Sequence, residues 1–366
     1  MIKSIHIENY KCFKDFDIQA LGPFNVLVGP NDSGKTALLE AILLATGSWP
    51  KSPKADFAYL GNVLGLSLGP HTFWRNLPDP GLRIDLTAEK QDKKPFWEPH
   101  LTVHSEGSNL LCRYACRFPE GTDRSDLHEG GEGAFEDLLD RIGRAKYYHL
   151  DPKALRRPSP VTGEMTETGE GFATFLDDIN RTDRTIFREL EEYFYKRFRH
   201  YQTIVIDKTV SQVLSGNQLV PKDCFVLKFK TIHDELLPAE GVSDGVILAL
   251  ALTALCYAPT PVGTLLIEEP ENAVHFASLK ETVQTLRDMA ARKGTQVFAT
   301  THSPYLLDLA ELNEVWVFNK DQEGAVHAKN LAEFPEAQDM RKHFMTGEIW
   351  TGLDEQEVHT GSTEEK

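Results

Sequence analysis

The sequence predicts an α/β fold in which helices pack against a mixed, largely parallel β-sheet, with a β-rich lobe at the N-terminus. Three observations carry this prediction across the 366 residues. The first part of the chain holds alternating, strand-like segments, a glycine-rich loop lies between a strand and a helix, and helices and strands alternate in the last third. Strand–helix–strand order favours parallel strands covered by helices.

The glycine-rich loop is the most informative segment of the chain. It reads G-x-x-x-x-G-K-T and follows the apolar run 24–28, while residues 37–44 after it read as a helix. Backbone amides of such a loop wrap a triphosphate, its lysine reaches the β/γ oxygens, and its threonine binds Mg²⁺. The helix N-terminus that faces the phosphates favours their negative charge. The predicted ATP ligands are Gly29, Pro30, Asn31, Asp32, Ser33, Gly34, Lys35 and Thr36, and Thr36 is also predicted to bind Mg²⁺.

Residues 1–150 are expected to form the β-rich part, together with the strand and helix that flank the glycine-rich loop. Segments that alternate apolar and polar residues indicate half-buried strands. Residues 47–80, rich in Gly, Pro and Ser, and the polar residues 119–132 read as loops. Strands are predicted at residues 2–7, 13–18, 24–28, 82–88, 100–105, 109–118 and 146–150.

A small helical insert is expected at about residues 150–225. Helices are predicted near 171–180 and 184–199, and in the second of them apolar residues recur every fourth position, which gives one buried stripe. Short strands are predicted at 202–206 and 224–229. The four residues of the stripe are Ile186, Leu190, Phe194 and Phe198.

Residues 226–350 alternate between helix and strand, and residues 351–366 form a polar tail that is expected to fray. No internal repeat occurs, and no heptad pattern is long enough for an extended coiled coil. Helices are predicted at 245–257 and 278–293, and strands at 263–267, 295–301 and 314–318.

Two carboxylates follow the predicted strand 263–267. Ligands bind at the carboxyl ends of strands in open α/β sheets, so Glu268 and Glu269 are placed where a bound nucleotide would meet them. One carboxylate can support Mg²⁺ while the other polarises the attacking water. We expect Glu268 to support the metal and Glu269 to act as the catalytic base; the alternative is a strand that ends in two surface acids.

Two further segments complete the predicted site. His302 follows the strand 295–301 and is expected to sense the γ-phosphate. Ser243 and Gly245 begin the helix 245–257, where a serine N-cap and free amides can bind an anion. Many helices begin in this way, so the pattern alone is weak support for an anion site. The position of the segment just before the acidic strand strengthens the prediction.

Composition limits the functional classes that the chain can belong to. The formal net charge is −16, which argues against a surface covered by nucleic acid but allows a local basic patch. No apolar stretch is long enough to span a bilayer and the N-terminus lacks a signal-peptide core, so we expect a cytoplasmic protein without membrane contact. Of the five cysteines, Cys112 and Cys116 lack a second pair for a zinc site, and reduced thiols are expected.

The order of these motifs resembles the ABC-type ATPase heads of the SMC, RecF and OLD group. Within that group the chain is most similar to the short bacterial AAA_21 and AAA_15 predicted ATPases, over about residues 1–320. Residues 5–13 are similar to the first hairpin of those heads, and residues 301–304 match their histidine switch. Glu268, Glu269, Pro270, Glu271 and Asn272 with His275 resemble their D-E-P-E-N…H segment, and Ser243, Asp244 and Gly245 match their short signature.

The resemblance implies a mechanism in which two copies dimerise head to tail around two ATP molecules. Ser243 and Gly245 of one copy would contact the γ-phosphate held by the other copy's loop, and residues 271–275 would lie across the interface. Hydrolysis, with Lys35, Glu269 and His302 as the catalytic residues, would reopen the dimer. Relatives of this type work in DNA repair or antiphage defence, which makes an effector protein or DNA a possible partner.

The sequence departs from the family pattern at three points. Glu268 stands where the family usually has Asp, and its extra methylene group predicts slow hydrolysis. The signature is shorter than the L-S-G-G-Q of transporters. No glutamine between Lys35 and Gln91 can be assigned to the Q-loop.

Two alternative functions stay open at this point. The first is a nuclease of the OLD type, although the 64 residues after His302 are too few for a Toprim domain. A loose PD-(D/E)xK pattern at 78–79 and 92–94 arises easily by chance. The second is the ATPase subunit of a transporter, against which the opening hairpin and the short signature argue.

Overall fold

The computed structural model describes residues 1–46, 54–56, 72–76, 81–88, 98–106, 109–117, 123–124, 145–215, 218–258, 263–272, 274 and 279–352. The helices are α1 Lys35–Thr46, α2 Pro152–Leu155, α3 Phe172–Thr182, α4 Arg184–Arg197, α5 Asp244–Cys256, α6 Leu279–Lys293, α7 Pro304–Leu307, α8 Pro335–Met340 and α9 Thr346–Gly352. The strands are β1 Ile2–Tyr10, β2 Phe13–Ile18, β3 Phe24–Val28, β4 Lys54–Asp56, β5 Arg83–Ala88, β6 Glu98–Glu106, β7 Asn109–Arg117, β8 Asp123–Arg124, β9 Ala145–Tyr148, β10 Ser159–Pro160, β11 Tyr201–Ser215, β12 Gln218–Thr231, β13 Leu236–Pro238, β14 Thr264–Glu268, β15 Gln296–Thr300, β16 Val315–Lys320 and β17 Val326–Asn330.

The chain forms two compact units. The first contains Met1–Tyr147, Val262–Leu266 and Ala290–Lys366, and the second contains Tyr148–Pro261 and Ile267–Met289. Strand β14 therefore begins in the first unit and ends in the second.

The β-rich part of the first unit is an antiparallel sheet in the order β2-β1-β5-β6-β7-β4, with β8 paired to β7. Alternation explains its buried face, because Ile5 and Ile7 of β1 are fully buried while His6 and Glu8, which alternate with them, are partly exposed. Five predicted strands, at 2–7, 13–18, 82–88, 100–105 and 109–118, correspond to β1, β2, β5, β6 and β7.

A second sheet carries the glycine-rich loop, in the order β17-β16-β3-β15-β14-β9. Strands β15 and β16 are parallel to β3, and β17 is antiparallel to β16, so the sheet is mixed. All five residues of β3 and of β15 are buried, as expected for central strands that are covered on both faces. Helix α1 packs into the same hydrophobic core as β1 and β2.

The second unit contains the two predicted helices of the insert, as α3 and α4, and a β-hairpin that the sequence only partly predicted. Strands β11 and β12 pair from Tyr201 and Thr231 out to Ser215 and Gln218, whereas the sequence predicted two short strands at 202–206 and 224–229. In the outer part of the hairpin, Val210 and Leu219 are each 66% exposed. Burial of these two apolar side chains therefore does not account for the length of the hairpin.

Among the described residues, no helix is long and apolar enough to cross a membrane.

Candidate functional site

The glycine-rich loop joins β3 to α1, as the sequence predicted. Gly29 and Gly34 adopt φ values of 151° and 95°, which glycine tolerates and other residues rarely adopt. Space is also restricted at both positions. A Cβ atom on Gly29 would lie 2.2 Å from the carbonyl oxygen of Phe318, and one on Gly34 would lie 3.1 Å from Cys12 Sγ. The glycines therefore allow β16 and the β1–β2 turn to approach the loop closely.

The Lys35 side chain turns back into the loop. Lys35 is 6% exposed, and its Nζ donates hydrogen bonds to the carbonyl oxygens of Gly29 at 2.9 Å and Pro30 at 2.8 Å. Nζ also lies 3.3 Å from Ser33 Oγ. The ammonium group is thus held inside the ring of backbone that a phosphate group would occupy, while Thr36 at the start of α1 is exposed.

The tip of the loop is tied to β16. Asp32 has a φ of 64°, and its carboxylate forms an ion pair with Lys320. Because β16 runs parallel to β3, with Val317 opposite Val28, its carboxyl end reaches the edge at which the loop begins. The ion pair offsets the one acidic charge among the eight residues of the motif.

His302 belongs to the same edge of the sheet. Thr300 of β15 lies opposite Leu27 of β3, and the amide of Thr301 donates to the carbonyl oxygen of Leu27 at 3.0 Å. His302 therefore follows one central strand at the level where the glycine-rich loop follows its neighbour, and its side chain is exposed. The structure brings these two predicted elements to adjacent strand ends within the first unit.

The two acidic residues lie in the second unit. Glu268 ends β14, the neighbour of β15 in the sheet. Its side chain is 14% exposed, and Glu268 Oε2 lies 3.2 Å from His149 Nδ1. Glu269 has a φ of 43°, a conformation that costs about 1–3 kcal/mol for a non-glycine residue and that clusters at functional sites.

Sequence reasoning missed His149. The residue follows β9 directly, whereas the sequence placed it inside the predicted strand 146–150, where a polar side chain gave no signal of a site. In the structure, its contact with Glu268 restricts the orientation of a carboxylate that the sequence analysis had singled out.

The predicted anion site lies at the start of α5. Ser243 is the N-cap residue, but its side chain makes no capping hydrogen bond, and it is exposed. The first acidic residue of the helix, Asp244, pairs with Arg156 at 2.6 Å between Oδ1 and Nη1. Gly245 is partly exposed in the first turn, where helix amides have no partner within the helix.

Several predicted features lie outside the described residues. These are His275, the residues considered for the Q-loop and for a nuclease pattern, most of the loops 47–80 and 119–132, the polar tail after residue 352, and the side chains of Cys112 and Cys116. Cys12, Cys224 and Cys256, the cysteines whose side chains the structure describes, are not in disulfide bonds.

The chain matches models of two protein families. A model described as "AAA domain, putative AbiEii toxin, Type IV TA system" (AAA_21) matches residues 85–308. A model described as "AAA ATPase domain" (AAA_15) matches residues 1–99.

Three curated relatives match most of the chain. An OLD nuclease of Thermus scotoductus is 23% identical over 91% of this chain, which spans 65% of that relative. An ATP/GTP phosphatase of Helicobacter pylori is 21% identical over 85% of this chain and 88% of its own length. The Septu protein PtuA of Bacillus thuringiensis is 20% identical, with 90% of this chain and 79% of PtuA covered.

Solved structures of SMC heads share the fold. The SMC head bound to the C-terminal winged-helix domain of ScpA superposes with a TM-score of 0.56, at 15% identity, over 91% of this chain and 99% of that structure. An SMC head with an extended coiled coil, bound to the C-terminal domain of ScpA from Pyrococcus furiosus, superposes with a TM-score of 0.53 at 11% identity. The match covers 93% of this chain and 99% of that structure.

Proposed function

Because this chain belongs to the AAA_21 family of AAA-domain proteins, we propose that it is a switch protein that binds ATP, dimerises on it and hydrolyses it. Its fold is the ABC-type ATPase head of the SMC and OLD group, as the sequence predicted. The observation that carries the proposal is the loop between β3 and α1, in which two glycines at positive φ surround the buried Lys35 ammonium group. This geometry fits a triphosphate.

Each proposed site residue has one role. Lys35 exchanges its contacts with the loop carbonyls for phosphate oxygens, and Thr36 and Glu268 would hold Mg²⁺. The metal would supply positive charge that offsets the charge of the phosphate groups. Glu269 accepts the proton of the attacking water, and His302 donates a hydrogen bond to the γ-phosphate.

The dimer would complete the site. We propose that Ser243 and Gly245 of one copy contact the γ-phosphate held by the other copy, since a serine hydroxyl that does not cap its own helix is available for an acceptor in the partner. Residues 271–275 would line the interface, as the family resemblance implies.

The biological role that we propose is antiphage defence or DNA repair, exerted on an effector protein or on DNA. Similarity to the OLD nuclease and to the Septu protein PtuA supports the defence role. The family description, which names a putative toxin, supports an effector that ATP controls.

The decisive experiment uses Glu269→Gln, which removes the base but keeps the size of the side chain. With ATP and Mg²⁺ on a sizing column, the variant is expected to elute as a dimer, because ATP is bound and not hydrolysed. The wild type is expected to hydrolyse ATP slowly, because Glu268 replaces the usual Asp. A variant that stays at its nucleotide-free size, together with a wild type that hydrolyses nothing, would end the switch proposal.

A second candidate function is a nuclease, favoured by the 23% identity to the OLD nuclease over 91% of this chain. We expect the switch function instead, because the nuclease pattern noted in the sequence is of a kind that arises by chance. Incubation of supercoiled plasmid with the protein and Mg²⁺ or Mn²⁺ separates the two functions. Intact DNA excludes the nuclease, whereas nicking that Glu269→Gln leaves unchanged would establish a second active site.

A further inference from the structure

We propose that Arg156 is a positioning residue that holds Ser243 and Gly245 in place for the γ-phosphate bound by a second copy of this chain. This inference rests on the proposed function and adds to it a residue that no motif in the sequence marks. It concerns residues of the second unit alone.

All three guanidinium nitrogens of Arg156 are engaged by the segment that leads into α5. Nε donates to the carbonyl oxygen of Ala239 at 3.0 Å, and Nη2 donates to that of Val242 at 2.9 Å. Nη1 lies 2.6 Å from Asp244 Oδ1, and the arginine side chain is only 13% exposed. One rigid, planar group therefore spans the 3-10 turn Ala239–Gly241 and the first residue of the helix.

The arginine is itself held firmly. It follows α2 directly, as the C-cap residue of that helix. Helix α2 begins with Pro152 and is capped by Asp151, whose side chain accepts a hydrogen bond from the amide of Lys153 at 2.9 Å. Helix α2 also packs against α5. The orientation of the guanidinium group is thereby fixed relative to the segment that it binds.

The contacts determine where the signature residues point. Ala239 and Val242 are buried, whereas Ser243 is exposed with its hydroxyl not used as a helix cap. Fixing the two carbonyl groups fixes the path of the chain up to Ser243. Without these hydrogen bonds, the exposed residues 240–241 and 243–244 would have to be ordered when the partner's nucleotide arrives, at a cost in entropy.

Arg156 also offsets the negative charge of Asp244. Asp244 lies between the two residues that are proposed to meet a triphosphate, and its carboxylate would repel that anion. The guanidinium group at 2.6 Å offsets this charge. An acidic residue at this position is compatible with an anion site because Arg156 accompanies it.

The test is made in the Glu269→Gln background, so that hydrolysis does not interfere. Dimer formation is measured against ATP concentration by analytical ultracentrifugation, and ATP affinity is measured at protein concentrations too low for dimers. We expect Arg156→Ala to leave the ATP affinity of the single subunit unchanged and to weaken dimerisation by about tenfold or more. Arg156→Lys should be intermediate, because an ammonium group cannot span all three acceptors.

Two further variants separate positioning from general stability. Arg157→Ala is the matched control, because the side chain of the neighbouring Arg157 is 62% exposed and pairs with Glu170, away from the segment that leads into α5 in the sequence; its dimerisation should equal that of the parent. The double variant Arg156→Ala/Asp244→Asn should regain part of the lost dimerisation, since the uncompensated carboxylate is gone. A residue that merely stabilised the fold would not be rescued in this way.

The outcomes distinguish this inference from the function on which it rests. If Glu269→Gln dimerises on ATP and both Arg156 variants dimerise equally well, Arg156 has no positioning role. If Glu269→Gln itself stays monomeric while it binds ATP, the proposed switch fails, and the assignment of Arg156 fails with it. If Arg156→Ala does not fold, Arg156→Lys decides the question by the same comparison.

Discussion

At the scale of single residues, the glycine-rich loop depends on atoms that approach it from outside. Gly29 combines a φ of 151° with a carbonyl oxygen 2.2 Å from the position of a Cβ atom. Backbone strain and a steric clash therefore both exclude a side chain there. The two effects can be separated, because another glycine of the chain has a positive φ but no atom close to its Cβ position.

The comparison is between Gly29→Ala and Gly324→Ala. Gly324 has a φ of 84° and no atom within 4 Å of a Cβ position, so alanine there should cost only the backbone strain of about 1–2 kcal/mol. Gly29→Ala adds a clash with Phe318 and should destabilise by more than about 3 kcal/mol. Denaturant unfolding measures both variants. Equal losses would mean that the contact with β16 does not constrain the loop.

Cys12 lies beside Gly34, and burial raises the pKa of its thiol to about 11, an effect that the nearby Lys320 only partly opposes. At pH 8 roughly one such thiol in a thousand is ionised, against about one in ten for a cysteine whose pKa is at the unshifted value of 9.0. Because the thiolate is the nucleophile, iodoacetamide should label Cys12 about 100-fold more slowly in the folded protein than in the unfolded chain. Mass spectrometry of the Cys12 peptide gives both rates, and equal rates would contradict the burial of the thiol.

At the scale of elements, the β16–β17 hairpin supports the loop from one side. Val326 of β17 lies about as close to the Cβ position of Gly34 as Cys12 does, at 3.0 Å. The turn before it is organised by Asp321, whose carboxylate accepts hydrogen bonds from the amides of Glu323 at 2.8 Å and Ala325 at 2.9 Å. Its other oxygen lies 3.0 Å from His327 Nε2.

These hydrogen bonds predict a pH dependence. Desolvation alone would raise the pKa of Asp321, but the contact with His327 and the two amides lower it below the usual 3.8. A lowered pKa means that the folded state favours the carboxylate, so the stabilisation is present above pH 3.8 and is lost as the pH falls through the lower, folded-state value. Asp321→Asn should therefore have a lower melting temperature than the wild type at pH 7. The difference in melting temperature should become smaller below about pH 4.

Thermal unfolding monitored at several pH values measures this gap. Glu189→Gln, a change at an exposed position of α4, serves as the control, and its difference from the wild type should stay small throughout. A gap for Asp321→Asn that is constant down to pH 2 would show that the turn does not depend on the carboxylate charge.

Helix α5 and the β11–β12 hairpin differ in how well the hydrophobic pattern of the sequence predicts them. Nine of the thirteen residues of α5 are buried, so its long apolar run predicts a core helix directly. The hairpin is held by cross-strand pairing over fourteen registered residue pairs. In its outer half Val210 and Leu219 are exposed, and the length of the hairpin follows from cross-strand pairing that the hydrophobic pattern did not predict.

At the scale of the whole molecule, the proposed switch requires that ATP binds the folded chain. A ligand that binds only the folded state raises the unfolding free energy, by about 2.7 kcal/mol at a concentration of 100 Kd. ATP with Mg²⁺ should therefore raise the melting temperature of the wild type by several degrees. Lys35→Ala should abolish the shift, because the ammonium group that meets the phosphates is lost.

Lys14→Ala is the matched control for that experiment, because Lys14 is more than half exposed and pairs with Glu323 at the surface. It should keep the full shift. A Lys35→Ala variant that retains the shift, or full ATPase activity, would contradict the assignment of the nucleotide site.

The sequence alone could predict most elements of the fold, because their patterns are local. Ten of the strands and the longer helices coincide with predicted segments to within a few residues, and the loop lies between its strand and helix as expected. Strand β17 and helices α8 and α9 were not predicted. These elements are short and stabilised by neighbours far away in the chain, as Thr346 shows by donating to the carbonyl oxygen of Ala310 at 2.9 Å.

What the sequence determined by itself is the chemistry that one continuous stretch can carry: the strand, glycine-rich loop and helix that present Lys35, and the acidic pair that follows a buried strand. The tertiary structure alone decided which distant groups adjoin them, namely β16 against Gly29, His149 beside Glu268, and Arg156 on Asp244. The physical reason is that hydrogen-bonding and hydrophobic patterns are set over a few residues, whereas these contacts depend on the path of the whole chain.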